Sequence, residues 1–302
     1  MIQHLVNDSP PTIQEAPSLF YQRQKQGGER RDDRFYFDEA TILRTAREQG
    51  PAHPLILMCM KTTYRELMLR YQRRINIRRR HNDDARSAYR RLGVDDFRTI
   101  NARQAWANWR IIPRNLSGQL PRRPVVAIDL CCGTGDSTAV LAYYCASGST
   151  ILGLDCSRDL LVAARGRSFP CRHGAASSVV FHEQSVLETF RNEQNIPCAA
   201  RSVDLVNSVG AFGCHFDGNT TRIVAAECRR VLREGGLAML DSGPDGTTAE
   251  EMTDIFTRVG FELIGQARSS CMDRFKQLCF RKVAPSGYLL QHAKSPRVDQ
   301  PR

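Results

Sequence analysis

The 302-residue chain has no apolar run long enough to cross a bilayer, which takes about 18 residues; its longest candidate spans residues 54–60. Residues 1–8 lack the basic-then-apolar order of a signal peptide, so neither secretion nor membrane insertion is expected. No Cys-x-x-Cys pair occurs among its 11 cysteines, and their number is odd. The pairs Cys131-Cys132, Cys171-x-His173 and Cys214-His215 do not have structural zinc spacings. No metal is assigned, and reduced thiols in the cytoplasm are the plain expectation. Repeats and strong compositional bias are also missing, which excludes collagen, solenoids and wholesale disorder. What remains, 41% apolar and 25% charged, is the composition of a folded soluble protein of one large or two ordinary domains.

The net charge of +11 is unevenly placed. Residues 1–124 hold 24 basic and 13 acidic side chains, whereas residues 125–302 hold 19 of each. Residues 1–34 are polar and read as a flexible tail. Residues 35–120 read as a basic helical extension capping the substrate side. Within it Tyr64, Leu67, Met68, Tyr71 and Ile75 form one helical stripe, beside Arg65, Arg70, Arg73, Arg74, Arg78, Arg79 and Arg80. These arginines have three readings: a solvated face, a phosphate-binding surface for RNA or an anionic substrate, or a membrane-surface helix. No RNA-binding signature accompanies them. Phe97, Trp106 and Trp109 either line the substrate side or fill core. Residues 115–123, flanked by Pro113 and containing Gly118 and Pro121, read as a linker. A second tail is expected over 284–302.

From residue 121 to 283 short apolar runs alternate with helical patterns. Strands are expected over 125–130, 151–155, 178–182, 203–209, 236–241, 261–266 and 275–282, with helices between them, including 219–233 and 248–259. This alternation favours an α/β fold, a parallel sheet covered on both faces. Ligands of such sheets bind at the carboxyl ends of the strands, near the topological switch.

The first strand enters the loop Asp129-Leu-Cys-Cys-Gly133-Thr-Gly135-Asp136. Glycines there let backbone approach a ligand, and Asp136 and Ser137 are good helix caps. A dinucleotide fingerprint needs a third glycine where Thr138 stands. The carboxylates of Asp129 and Asp136 disfavour a pyrophosphate and fit a cationic or hydrogen-bond-donating ligand. Asp155 closes the second strand twenty positions after Gly135, where an acid can accept both hydroxyls of a ribose.

These residues resemble the class I S-adenosylmethionine-dependent methyltransferases. The resemblance spans residues 121–282 and implies a Rossmann-like, doubly wound, mostly parallel seven-stranded sheet with S-adenosylmethionine as cofactor. It implies that Asp129, Leu130, Cys131, Gly133, Thr134 and Gly135 sit against the methionine end and sulfonium. Asp155 would bind ribose, and Cys156 would border the adenine. Gln184 or Ser185 stands where the family often has an acid touching the adenine amino group. Asn207 and Ser208 would flank the cofactor near its methyl group, with Phe212 and His215 towards the substrate. Residues 227–236 resemble the helix and turn before strand five, and Gly260-Phe261 the entry to the last strand pair. The family often has glycine where this chain has Cys131.

Plainer readings stand beside these: a tight turn for the glycines, helix capping for Asp155, strand-end polarity for Asn207 and Ser208, and small buried thiols for Cys131 and Cys132. His215 is a candidate general base, with Asp241 of similar standing. Yet displacement from an activated sulfonium can run largely on alignment, and a plain loop histidine serves as well. The expected function is S-adenosylmethionine-dependent methyl transfer to a small molecule. The alternatives are an RNA methyltransferase docking through its arginines, and a non-catalytic binder of the cofactor.

Overall fold

The computed structural model describes residues 80–169, 176–269 and 273–284. The expected tail over 1–34, all but the first residue of that over 284–302, the stripe from Tyr64 to Ile75 with its arginines up to Arg79, and the Trp106 side chain lie outside the described residues.

Helices α1 (Asn82–Arg90) and α2 (Val94–Leu116) precede the sheet strands β1 (Val126–Leu130), β2 (Thr150–Asp155), β3 (Ser178–Glu183), β4 (Val203–Ser208), β5 (Leu232–Ser242), β6 (Phe261–Ala267) and β7 (Lys276–Lys282). Between them run α3 (Asp136–Tyr144), α4 (Arg158–Arg165), α5 (Phe212–His215), α6 (Gly218–Val231) and α7 (Ala249–Arg258). The seven strands form one sheet in the order β3-β2-β1-β4-β5-β7-β6. The first five are parallel, and β7 is antiparallel to both of its neighbours. The chain winds outward from β1 to β3, then returns to β4 on the other side. The crevice between the ends of β1 and β4 is therefore the topological switch.

Strand periodicity divides each strand between two faces. Ala127, Leu205, Leu237, Met239 and Cys279 pack with Ile112 and Leu116 of α2 and Val140 and Leu141 of α3. Ile128, Leu130, Val206, Ala238, Leu240 and Leu278 pack with Val224 of α6 and Ile255 and Phe256 of α7. Covering both faces explains why the parallel strands read as near-continuous apolar runs.

Two boundaries differ from expectation. Helix α2 continues through Pro113, so the expected linker at 115–123 begins as its buried last turn, with Asn115 and Leu116 enclosed. An interior proline costs about 3 kcal/mol. Burying Ile111, Ile112 and Leu116 returns about 1.5–3 kcal/mol for each, which outweighs it. Strand β5 starts at Leu232 rather than 236, because Leu232 pairs with Val203 ahead of a bulge. Among the described residues, no helix is long and apolar enough to cross a membrane.

Candidate active site

The turn after β1 uses three left-handed residues: Cys131 (φ 54°), Gly133 (φ 53°) and Gly135 (φ 80°). Glycine adopts this conformation freely, while a cysteine there costs on the order of 1 kcal/mol. Beneath the turn, Asp129 lies on the α3 face and is fully enclosed. Its carboxylate accepts from Ser137 Oγ (2.7 Å) and Thr138 Oγ1 (2.6 Å) in the first turn of α3, and from Asn207 Nδ2 (2.7 Å). Burial pushes its carboxyl up to about 6 against the pull of these donors. Asn207 in turn accepts from Gln277 Nε2 (2.8 Å), and Gln277 Oε1 accepts from Asn115 Nδ2 (3.0 Å). A buried polar row thus crosses the sheet from β1 to β7 and ends on α2.

Asp155 makes a different environment. Its Oδ2 accepts from the Gly133 backbone N–H (2.8 Å) and its Oδ1 from that of Ser157 (2.9 Å), and burial raises its carboxyl. These bonds leave lone pairs on both oxygens, and the carboxylate sits on the wall of a cleft of about 930 Å³. The cleft lies over the switch point. Cys131, Cys132, Asp136, Ser137, Asp155 and Cys156 form one wall, residues 184–187 another, and residues 209–211 of the loop after β4 a third.

Helix α1 roofs this cleft and is tied at both ends. Asn82 Nδ2 donates to Asp217 (3.0 Å) while its carbonyl accepts from Thr220 Oγ1 (2.9 Å), and Arg90 Nε donates to the Cys156 carbonyl (3.1 Å). Between the ties, Tyr89 Oη lies 3.1 Å from His215 Nε2. The other ring nitrogen, Nδ1, lies 3.0 Å from the Arg80 carbonyl. A carbonyl only accepts, so Nδ1 carries the proton of the neutral ring and Nε2 accepts from Tyr89. Asp241 sets the approach to His215 by accepting from the N–H groups of Ala211 (3.1 Å), Phe212 (3.3 Å) and Gly213 (2.9 Å). A second chamber of about 840 Å³ shares Tyr89, Asn101, Val209, Gly210 and His215 with the cleft and continues towards Gln104, Asp273 and Lys276.

Of the residues singled out from sequence, the structure brings Cys131, Asp155, Cys156, Gln184, Ser185 and His215 to the cleft wall. Gln184 is engaged at both ends of its amide, by the Thr189 carbonyl (2.6 Å) and the Arg191 N–H (2.9 Å), whereas Ser185 Oγ only accepts from Leu187 N at 3.3 Å. Asp129, Leu130, Gly133, Thr134, Gly135, Asn207 and Ser208 are not on that wall. The two acids of the turn have different surroundings. Strand parity turns Asp129 into the core, and Asp136, although on the wall, is bound by Arg167 Nη1 at 2.7 Å. Phe97 is both core and lining: it is 8% exposed and packs so closely on Gly133 that a Cβ there would lie 2.4 Å from its ring. Tyr89, Asn101, Asn108 and Arg167 carried no sequence signal of their own. A tyrosine facing the same side as Ala85 one helical turn earlier was the nearest hint.

Residues 127–236 match the methyltransferase domain family. No curated protein matches the chain. Similar solved structures include a candidate S-adenosylmethionine-dependent methyltransferase from Listeria monocytogenes (13% identity, TM-score 0.46, covering 60% of this chain and 99% of that one). A second is a candidate methyltransferase complexed with a methyltransferase activator from Haloferax volcanii (16%, TM-score 0.47, 63% and 97%). A third is a TehB-like S-adenosylmethionine-dependent methyltransferase from Corynebacterium glutamicum (20%, TM-score 0.44, 67% and 100%). The donor set of the cleft fits S-adenosylmethionine: a carboxylate with lone pairs for ribose hydroxyls, and an apolar edge at Val186 and Leu187. Through residues 127–236 the chain carries a domain of the methyltransferase domain family.

Proposed function

We propose that the protein methylates a small-molecule acceptor, which reaches the cofactor from the second chamber. The observation that carries this reading is the junction of the two cavities. The chamber adjoins the cofactor cleft at Tyr89 and His215 and is lined on one side by Tyr89 of α1 and by Asn101, Gln104 and Ile111 of α2. Asp155 would hold the ribose hydroxyls, Cys156 and Ser185 would border the adenine, and Cys131 with the loop at 209–211 would lie towards the methionine end. The cofactor supplies an activated methyl group on a sulfonium. The chain's contribution is then chiefly alignment and exclusion of water, with α1 and α2 acting as the substrate-side cap. The eight described cysteines are free thiols, in keeping with a reducing, cytoplasmic setting.

Calorimetric titration with S-adenosylmethionine tests the assignment. Micromolar binding is expected, weakened at least tenfold in Asp155→Ala, a loss of about 1.4 kcal/mol. Equal affinity in the two proteins would remove Asp155 from the site.

A further inference from the structure

Most polar groups on the cleft wall are engaged by the protein itself. The amides of Asn82 and Gln184 are bonded at both ends. Asp136 pairs with Arg167, Asp83 lies 3.5 Å from Arg86, and Tyr89 lies against His215. Asp155 is an acceptor, open only to further donors. Burial keeps the thiols of Cys131, Cys132 and Cys156 protonated. Asn108 of α2 differs from all of these. It is 2% exposed and forms part of the cleft wall. Its Oδ1 accepts from Gln104 Nε2 (2.9 Å), while its Nδ2 has no partner among the described residues. Gln104 thereby fixes which way round the amide stands. Gln104 is itself wedged on the loop after β4, where a Cβ on Gly210 would lie 3.2 Å from its Cγ. A buried amide with two unused N–H bonds facing a cavity is matched to an acceptor on a ligand. On the same wall stand Asp136 and Ser137, in the first turn of α3, which has no side-chain cap and whose N–H groups favour an anion.

Given the methyl-transfer reading above, on which this rests, we infer that Asn108, held by Gln104, binds the carboxylate at the amino-acid end of S-adenosylmethionine. Sheet order agrees with this placement. With Asp155 of β2 on the ribose hydroxyls, the adenine lies towards β3 and the amino-acid end towards β4, the side on which Gln104 holds Asn108. The other donors are placed elsewhere: Ser185 follows β3, and Arg86 stands near enough to Cys156 for its charge to act on that thiol. Gln104 and Asn108 both precede the matched residues 127–236, so helix α2 completes the cofactor site as well as covering the acceptor side. Asn108 is the ligand-binding residue, and Gln104 is a positioning residue.

The test is calorimetry with S-adenosylhomocysteine and its decarboxylated analogue, S-adenosyl-3-thiopropylamine, which differ only in the carboxylate. The wild type is expected to bind the first at least tenfold more tightly. Asn108→Leu, of similar volume, should erase that preference and leave the affinity for the analogue within twofold. Asn108→Asp should turn the preference towards the analogue, since it repels the carboxylate of one ligand and attracts the ammonium of the other. Gln104→Leu lets the amide turn and should reduce the preference at least threefold; it decides the matter if the melting temperature shows Asn108→Leu unfolded. Asp155→Ala should weaken both ligands alike. Equal binding of the two ligands by the wild type, or a preference that survives in folded Asn108→Leu, overturns the role of Asn108. A preference lost in Arg86→Ala and kept in Asn108→Leu does the same and moves the carboxylate to α1. If neither ligand nor S-adenosylmethionine binds the wild type, the methyl-transfer reading falls; binding of both ligands without preference strikes Asn108 alone.

Discussion

Asp129 and Asp155 lie at the ends of neighbouring parallel strands, both are buried, and burial raises both carboxyls, yet their surroundings differ. Asp129 is enclosed by side chains from α3 and β4 and lines neither the cleft nor the second chamber. Asp155 is braced by main-chain N–H groups and presents its remaining lone pairs to the cleft. The difference comes from what each strand face looks onto. Asp129 points under a helix whose first turn offers two hydroxyls, while Asp155 ends its strand at the open crevice. An acid at a strand end is therefore either a structural anchor or a ligand-binding group according to its neighbours, not its type.

The largest effect that separates the two is on stability. Asp129→Ala leaves Ser137, Thr138 and Asn207 without their shared acceptor in the core, and should cost about 3–5 kcal/mol in urea unfolding. Titration sharpens the point. The folded-state carboxyl at about 6 lies above the ordinary value of 3.8, so the folded state holds the proton more tightly than the unfolded chain. This group's contribution to stability is therefore full below pH 3.8 and is lost as pH rises through about 6. Relative to Asp129→Asn, the wild type should gain stability as pH falls from 7 towards 4. A difference that stays flat or runs the other way would mean that hydrogen bonding outweighs burial.

A smaller effect probes the row that Asp129 begins. Asn207→Ala should lower stability by about 1–3 kcal/mol and leave S-adenosylmethionine affinity within twofold, the reverse of the pattern at Asp155. A tenfold loss of affinity would return Asn207 to the cofactor site. The smallest change concerns the turn that joins the two acids. Cys131→Gly relieves a left-handed cysteine and should stabilise by up to about 1 kcal/mol, read as a rise in melting temperature; a fall would show that the thiol's packing contributes more than the backbone strain costs.

Much of this architecture is legible in the chain. The alternating runs after Pro124 mark every strand, the turn at residues 131–135 follows the first, and Asp155 closes the second. Other features resist such reading. Asn207 and Ser208 are adjacent polar residues at one strand end, and only the packing of both sheet faces shows Asn207 bonded to Asp129 while Ser208 Oγ lies buried without a partner among the described residues. Pro113 reads as a break, yet the helix carries it because the apolar residues around it are buried.

The sequence by itself determined the order of strands and helices, the left-handed turn and the identity of the strand-end acids, because each depends on local periodicity or local sterics. Tertiary structure decided which polar groups meet. Tyr89 and His215 stand 126 residues apart, and Asn115 and Gln277 stand 162 apart. No local rule encodes such pairs; they form when helices bury their apolar faces against the sheet, and that packing sets which side chains face the cleft.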